Sequence, residues 1–396
     1  MNIKSILVQE GKFSPTTKPH NLPIFATSSF NFEDIDQGIN IFEGNEEGHV
    51  YGRYGNPTIE TVAEKIAQLE CYDIEEEGFG IMVSSGMSAI STLLFALLKQ
   101  GDTILTQANL YGGTTELLRK FITKLGVKIE FIDFASKDLI ESRVKNDKSI
   151  KLIYCESPAN PSLACVDLQY ISDLCQKNDI LSIIDNTFPT PYLQRPFNFG
   201  IDFIIHSTTK YINGHGNSIA GVVIGKNRDY YQTVLDAMKL IGTNCNPFDA
   251  WLVNSGMKTL ALRMDAHSSN ALEIARRLLK HEEIAVVNYP FLPSHRDFKI
   301  ASKQMQAGGG MLSFELKGGI ERAIRFMNAI QMSSLAPTLG DVDTLILHPA
   351  SMSHRNIERS IRYENGITDG LIRMSVGIEY VEDIYMDIEN AIEKSK

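Results

Sequence analysis

A single lysine follows a short apolar run near the middle of the chain. Residues 203–205 (Phe-Ile-Ile) form the kind of run that a buried strand shows, and Lys210 comes soon after them. A lysine just past a buried strand is partly desolvated, which lowers its pKa and suits it to a covalent link with an aldehyde. The hydroxyl side chains of Ser207 and Thr209, which precede the lysine, can hold a phosphate.

An aspartate stands at the end of another apolar run, DILSIID, which closes at Asp185. Taken alone, Asp185 is explained as a turn or cap residue, and Lys210 as a solvated loop residue. At the carboxyl ends of two strands, however, they form the pair that pyridoxal phosphate (PLP) needs. The carboxylate pairs with the protonated ring nitrogen, and the lysine carries the aldehyde. The pair therefore predicts a PLP site with the cofactor attached covalently to Lys210.

Two further segments are candidates for binding the phosphate. Residues 81–83 are predicted as a strand, followed by a turn at 84–86 and a buried helix from Met87 onward. The start of such a helix presents unpaired N–H groups and a positive dipole end, which attract anions. The YGRY segment at 51–54 places Arg53 between two tyrosines, where it could grip a phosphate bidentately. The alternative for this segment is an ordinary surface loop.

Composition excludes several classes of partner. The chain is 43% hydrophobic and 22% charged, as is ordinary for a globular protein, and its net charge of −10 argues against nucleic acid. Its apolar runs fall short of the ~18 residues that a membrane span needs, and its first residues lack the features of a signal peptide. Five cysteines without CxxC spacing indicate reduced thiols in the cytoplasm, and nine histidines without an HExxH motif predict no metal.

Strands alternate with helices along most of the chain, which predicts an α/β fold with a mainly parallel sheet and ligands at its carboxyl edge. Residues 1–60 are poor in periodicity and are expected to form an extended arm that contacts a neighbouring subunit. Residues 61–250 are expected to form the PLP-binding domain. Residues 251–396 are expected to form a smaller C-terminal α/β domain, in which the strand Leu371–Val376 carries Arg373.

From about Tyr51 to the C-terminus, the order of these motifs resembles the PLP-dependent enzymes of cysteine and methionine metabolism, a trans-sulfuration family with the fold-type-I aminotransferase fold. The resemblance implies that Tyr51 and Arg53 hold the phosphate of the neighbouring subunit's cofactor. The active unit would then be a dimer that shares its active sites, usually paired into a homotetramer. The other groups implied for the phosphate are the backbone N–H groups of Gly86 and Met87 and the hydroxyls of Ser207 and Thr209.

The same resemblance implies contacts to the ring and the substrate. Tyr111 would stack on the ring face, and Asn160, in the motif ESPANP, would bond the ring hydroxyl. Asp185 would pair with the ring nitrogen and Lys210 would carry the cofactor. Arg373 would bind the α-carboxylate of an amino-acid substrate.

Substrate choice within the family depends on the distal pocket. Members that handle cystathionine carry charged groups for its distal amino acid, and the matching places here hold Val50, Glu116 and Pro337. An apolar pocket suits a methyl thioether better than a zwitterion, because a buried unpaired charge is strongly disfavoured. The segment TLGDVDTLILHPASMSH also resembles methionine γ-lyase; it begins at Thr338, a substrate-binding position where serine is usual. Gly113 stands where well-known bacterial methionine γ-lyases have a cysteine.

The resemblance thus implies γ-elimination on a sulfur amino acid, with L-methionine giving methanethiol, 2-oxobutyrate and ammonia. Lys210 would act as the general base at Cα, and Tyr111 as the acid for the leaving thiolate. The alternatives within enzymes are cystathionine γ-lyase and the γ-replacement enzymes, cystathionine γ-synthase and O-acylhomoserine sulfhydrylase. A non-catalytic PLP-binding protein on the same fold is the alternative from a different class.

Overall fold

The computed structural model describes residues 1–11, 18–355 and 358–396. Residues 12–17 of the expected arm and residues 356–357 of the expected C-terminal domain lie outside the described residues. The α-helices are α1 (Ile3–Gln9), α2 (Ile35–Glu43), α3 (Pro57–Glu70), α4 (Gly86–Leu97), α5 (Gly112–Lys120), α6 (Lys137–Asn146), α7 (Leu168–Asn178), α8 (Thr190–Leu193), α9 (Tyr231–Ile241), α10 (Pro247–Met257), α11 (Leu260–Leu278), α12 (Phe298–Gln304), α13 (Gly319–Ala329), α14 (Arg359–Glu364) and α15 (Val381–Lys394). The strands are β1 (Phe79–Val83), β2 (Thr103–Gln107), β3 (Lys128–Ile132), β4 (Ile150–Glu156), β5 (Leu181–Asp185), β6 (Phe203–Ser207), β7 (Gly221–Gly225), β8 (Ile284–Asn288), β9 (Met311–Leu316), β10 (Ser334–Leu335), β11 (Leu345–Leu347) and β12 (Leu371–Ser375).

The larger sheet has seven strands in the order β1-β7-β6-β5-β4-β2-β3. Strands β2 to β6 form parallel pairs with one another, whereas β7 is antiparallel to both of its neighbours, β1 and β6. The prediction of a mainly parallel sheet is confirmed. The reversed strand β7 (sequence GVVIG) is an addition that the sequence analysis did not predict.

Helices cover both faces of the larger sheet, which is why its central strands are mostly apolar. Ile183 of β5 lies in the core shared with α4, and its neighbour Ile184 lies in the core shared with α3 on the other face. The carboxyl edge, where the chain leaves the sheet, carries the polar residues Glu156, Asp185 and Ser207. Strands β4, β5 and β6 place their last residues at this edge.

The smaller sheet has five strands in the order β10-β11-β12-β9-β8, and all of its pairs except β10–β11 are antiparallel. It packs on α11, α13 and α15, with Phe314 of β9 against Phe326 of α13 at its centre. The strand expected at 371–376 is present as β12. The domain boundary expected at residue 250 falls within α10.

The expectation of an extended arm at 1–60 is wrong for two segments, which are helices. Helix α1 begins at a cap in which the side chain of Asn2 accepts the Lys4 N–H, and it buries Leu7. Helix α2 begins at a similar cap on Asp34 and ends at Gly44, whose left-handed backbone conformation favours glycine. Both helices are shorter than three turns, so their periodicity is too brief to identify from sequence.

Candidate active site

Two neighbouring strand ends, those of β4 and β5, bring carboxylates to the same edge of the sheet. In the strand register, Glu156 of β4 pairs with Asp185 of β5, and Asp185 pairs with Ile205 of β6. The Asp185 carboxylate accepts the Thr187 N–H at 3.0 Å. Burial raises the pKa of Asp185, while the hydrogen bonds from Thr187 and the nearby His206 act in the opposite direction. A cationic partner such as a protonated ring nitrogen would offset this cost of burial.

Lys210 lies in the turn after β6, and its amine donates to Thr338 Oγ1 at 2.8 Å. Burial lowers the pKa of Lys210, and the positive charge of Arg373 lowers it further, while Asp341 opposes both effects. The side chain is partly buried, as expected for a lysine just past a buried strand. A lysine with a lowered pKa has a larger neutral fraction, which is the form that reacts with an aldehyde and that accepts a proton.

Arg373 reaches the same place from β12 in the smaller sheet. Its Nη2 donates to the carbonyl oxygen of Thr338 at 2.8 Å, so Thr338 contacts Lys210 with its side chain and Arg373 with its backbone. Burial lowers the pKa of Arg373 to about 10, which leaves the guanidinium charged at neutral pH. Its buried Nε has no hydrogen-bond partner within the described residues. A substrate carboxylate would satisfy this donor.

The start of α4 forms a close-fitting cradle with the end of β6. The side chain of Ser85 caps the helix by accepting the Ser88 N–H at 3.0 Å, which leaves Gly86 and Met87 at the first two helical positions, where N–H groups have no partner inside the helix. A Cβ atom on Gly86 would lie 2.7 Å from Ser207 Cβ, so only glycine permits this approach. The structure thus brings Gly86, Met87 and Ser207 together as predicted.

Thr209 is less available for a phosphate than the sequence suggested. Its hydroxyl donates to the carbonyl oxygen of Ala220 at 3.2 Å and accepts the Ala220 N–H at 3.1 Å. These bonds join the turn after β6 to the start of β7. The contact between Thr209 and a phosphate stays a prediction.

Tyr111 stands immediately before α5 with half of its surface exposed, at 50%. Its backbone N–H lies 3.0 Å and 2.9 Å from the two carboxylate oxygens of Glu156. A Cβ atom on Gly113 would lie 2.6 Å from the Tyr111 ring and 3.2 Å from Met87 Sδ. Gly113 therefore lets the tyrosine ring lie close to the helix and beside the predicted phosphate cradle.

Asn160 follows β4 and presents an unused acceptor. Its Oδ1 atom is buried and has no hydrogen-bond partner in the described part of the chain. A buried amide oxygen without a partner is unfavourable unless a ligand supplies the donor. The donor set as a whole fits PLP: Lys210 for the aldehyde, Asp185 for the ring nitrogen, the α4 cradle for the phosphate and Asn160 for the ring hydroxyl.

The described contacts of Arg53 are with Tyr51, Tyr54 and Lys239. The Arg53 guanidinium lies 5.4 Å from the Tyr51 ring centroid and 4.8 Å from that of Tyr54. It also donates to the carbonyl oxygen of Lys239 near the end of α9. The residues in contact with this arginine do not include Lys210 or Asp185. The shared active site that the resemblance implies stays a prediction.

The three positions expected to form the distal pocket carry no buried charge. Glu116 is 66% exposed on α5 and pairs with Lys120 at 3.1 Å, so its predicted orientation toward solvent is confirmed. Val50 is partly buried and Pro337 is exposed. Arg119, the first cationic residue after Glu116 on α5, has its guanidinium 4.8 Å from the centroid of the Phe131 ring.

The described residues contain neither a metal-binding cluster nor a helix that could cross a membrane. No cluster of three or more His, Cys, Asp or Glu side chains has the arrangement of a metal site within 1–11, 18–355 and 358–396. In the same residues, no helix combines the length and the apolar character that crossing a bilayer requires.

Sequence reasoning missed Glu156, which the structure places beside Asp185. The signal was present, because Glu156 ends an apolar strand just before Asn160, in the same way that Asp185 ends β5. It also missed a buried pair behind the sheet, in which Glu70 Oε1 lies 2.6 Å from His206 Nε2. Glu70 and His206 are distant in sequence and lie in apolar surroundings, so no sequence pattern connects them.

Comparison with known proteins gives consistent matches over nearly the whole chain. A family model described as Cys/Met metabolism PLP-dependent enzyme matches residues 4–393. An L-methionine γ-lyase of Fusobacterium nucleatum subsp. nucleatum is 43% identical over 380 residues, which cover 94% of this chain and 93% of that protein. A cystathionine β-lyase of Lactococcus lactis subsp. cremoris is 39% identical over 395 residues, which cover 99% of each. The crystal structure of cystathionine γ-lyase from Lactobacillus plantarum, complexed with L-serine, aligns with a TM-score of 0.92 and 36% identity, covering 100% of this chain and 99% of that one.

Proposed function

Because the chain belongs to the Cys/Met metabolism family of PLP-dependent enzymes, we propose that it catalyses γ-elimination of L-methionine. It has the fold-type-I architecture, with a large, mainly parallel sheet and a smaller sheet. The overall reaction consumes L-methionine and water and releases methanethiol, 2-oxobutyrate and ammonia. When bound, PLP supplies the electron sink that stabilises negative charge at the substrate Cα.

The residues of the chain have separate tasks in this proposal. Arg373 binds the α-carboxylate, and Asp185 keeps the ring nitrogen protonated. Lys210 removes the proton from Cα and moves it along the substrate, aided by its lowered pKa. Tyr111 donates a proton to sulfur as the Cγ–S bond breaks and its electron pair moves to sulfur. Thr338 holds the free amine of Lys210 beside the Arg373 guanidinium.

The observation that carries the proposal is the convergence of Lys210, Thr338 and Arg373. The two hydrogen bonds of Thr338, both 2.8 Å, place a carboxylate-binding cation next to the amine that removes the Cα proton. This is the arrangement that an α-amino acid needs. The choice of methionine is supported by the exposed, ion-paired Glu116, which leaves the distal pocket without a partner for a second ammonium group.

Cystathionine cleavage is the second candidate, favoured by the 39% identity to a cystathionine β-lyase over 99% of the chain. γ-Replacement on an activated homoserine is the third. γ-Elimination and γ-replacement differ in the substrates that they require. γ-Elimination gives 2-oxobutyrate from methionine alone, whereas γ-replacement needs an activated homoserine and a thiol.

The test is a substrate panel on the purified, PLP-loaded protein, scored for 2-oxobutyrate and for volatile thiol. We expect methionine or homocysteine to exceed cystathionine in kcat/KM by at least about tenfold, because an unpaired buried charge costs several kcal/mol. The Glu116→Gln variant is a matched control, which should leave this ratio unchanged because the side chain faces solvent. Equal or better turnover of cystathionine would contradict the proposal.

We also propose that the protein is a cytoplasmic homotetramer made of dimers that share active sites. The five cysteines are all buried and unpaired, as expected in a reducing compartment. The described contacts of Arg53, with Tyr51, Tyr54 and Lys239, do not include Lys210, which is compatible with a role in the site of a neighbouring subunit. We further propose that the subunit consists of an N-terminal arm (1–60) that contacts the neighbouring subunit, a PLP-binding domain (61–250) and a C-terminal domain (251–396).

A further inference from the structure

We propose that Glu156 is a positioning residue that fixes Tyr111 for proton transfer to the leaving thiolate. This inference rests on the proposed function and deepens it. Glu156 itself touches neither the substrate nor its reacting atoms, and it acts through the backbone of Tyr111.

The contacts of Glu156 tie it to the segment that carries the tyrosine. Its carboxylate is 5% exposed, and both oxygens accept the Tyr111 N–H, at 3.0 Å and 2.9 Å. Its own backbone N–H donates to Gln107 Oε1 at 3.0 Å, and Gln107 Nε2 donates to Asn109 Oδ1 at 3.1 Å. Glu156 is therefore joined to both ends of the loop between β2 and α5: to Gln107 at its start and to Tyr111 at its end.

Few side-chain contacts hold Tyr111, so its position depends on its backbone hydrogen bonds. Its side chain makes no capping bond at the start of α5, and half of its surface is exposed. The residue that follows it, Gly112, has no side chain, and a Cβ there would meet nothing within 4 Å, so no side chain packs at this position. The Tyr111 carbonyl oxygen accepts the Thr115 N–H at 3.0 Å, so the bonds to Glu156 and Thr115 together fix the backbone from which the ring projects, and Glu156 is the acceptor that holds the N–H side of it.

The position of Glu156 is costly for stability, which favours a functional reason for its presence. Its carboxyl stands beside that of Asp185 in the strand register. Burial raises the pKa of Glu156, and the neighbouring Asp185 raises it further. An apolar side chain would avoid both penalties, but it would leave the Tyr111 N–H without its acceptor.

The chemistry separates this role from a general effect on the site. Removal of the Cα proton needs Lys210 and does not need the phenol of Tyr111. Cleavage of the Cγ–S bond sends its electron pair to sulfur, and the Tyr111 proton goes to that sulfur. Acetate is a stable anion and leaves without a proton. Disturbing Tyr111 should therefore slow the loss of a thiolate and spare both Cα exchange and the loss of acetate.

The test compares three variants with the wild-type, PLP-loaded enzyme. Glu156→Met keeps the length of the side chain and removes the acceptor, Glu156→Gln keeps one acceptor oxygen, and Tyr111→Phe removes the proton donor. Each is assayed for hydrogen–deuterium exchange at Cα of methionine by NMR, for 2-oxobutyrate from methionine, and for 2-oxobutyrate from O-acetylhomoserine.

We expect Glu156→Met to lose roughly 10- to 100-fold in 2-oxobutyrate release from methionine, as for a misplaced catalytic group. Its Cα exchange and its acetate elimination should stay within about threefold of wild type, and Tyr111→Phe should show the same pattern. Glu156→Gln should recover most of the loss. Equal losses in all three assays, or no loss in any, would overturn the proposal.

Failure of the proposed function would look different. Wild-type enzyme that exchanges the Cα proton of methionine but releases no 2-oxobutyrate from it would contradict methionine γ-elimination. The Glu156 comparison is then made with cystathionine, whose leaving group is also a thiolate, and the same pattern of losses is required for the role of Glu156 to stand.

Discussion

Replacing Thr338 with valine removes the hydroxyl that holds Lys210 and keeps the shape of the side chain. The bond it removes joins Lys210 Nζ to Thr338 Oγ1 at 2.8 Å. A hydrogen bond to a group that can carry charge contributes about 1.5–3 kcal/mol. Since each ~1.4 kcal/mol is tenfold, Thr338→Val should lower kcat for methionine by roughly 10- to 100-fold.

The effect should appear in kcat rather than in KM, for a structural reason. Arg373 bonds the backbone carbonyl of Thr338 and not its side chain, so the substitution leaves the carboxylate-binding cation in place. Thr338→Ser is the matched control. It keeps the hydroxyl, restores the residue usual in related enzymes, and should stay within about threefold of wild type.

The assay is steady-state release of 2-oxobutyrate from methionine, with PLP occupancy measured on each sample. The reasoning would be refuted if Thr338→Val kept its kcat within about threefold of wild type at full occupancy. A rise in KM with unchanged kcat would also refute it, because that result would place the side chain in substrate binding rather than in holding Lys210.

Four further predictions follow from the same geometry. Lys210→Ala should lose the borohydride-reducible link to PLP, and mass spectrometry that finds pyridoxyl on another lysine after reduction of wild type would disprove the assignment. Mixing inactive Arg53→Ala with inactive Lys210→Ala subunits should restore activity, since one site in a mixed dimer is intact; no recovery after verified exchange would count against shared sites. Gly113→Ala should lower kcat for methionine by about tenfold, because the added Cβ would lie 2.6 Å from the Tyr111 ring; unchanged kcat would show that the ring moves without consequence. Burial raises the pKa of Glu156, so the folded, cofactor-free protein becomes less stable as the pH rises through and above the ordinary pKa range of a glutamate. Glu156→Gln lacks this titration, so its Tm relative to that of wild type should increase between about pH 4 and pH 8. A Tm difference that does not change with pH would contradict the raised pKa.

The sequence predicted the strand-end residues well because each depends on a local pattern. Lys210 and Asp185 both follow apolar runs, and those runs are β6 and β5 of the parallel sheet. The glycine turn before α4 was predictable for the same reason. The reversed strand β7 was missed, since a short apolar run bounded by glycines does not reveal its direction.

Contacts between distant segments were beyond sequence reasoning. The bond between Lys210 and Thr338 spans 128 positions and joins the turn after β6 to the segment between β10 and β11. The bond between Tyr111 and Glu156 spans 45 positions. Both depend on how the loops and the two sheets pack together, which composition and periodicity do not encode. The position of Thr338 was identified from the resemblance, but its contact with Lys210 was not.

The most direct test is the stoichiometry of products when methionine is the only organic substrate. The PLP-loaded protein is incubated with L-methionine in the absence of any added thiol or activated homoserine, and methanethiol, 2-oxobutyrate and ammonia are quantified. The proposed γ-elimination predicts equimolar amounts of all three, and no product from Lys210→Ala. Absence of 2-oxobutyrate from the loaded wild-type protein, or its equal release by Lys210→Ala, would contradict it.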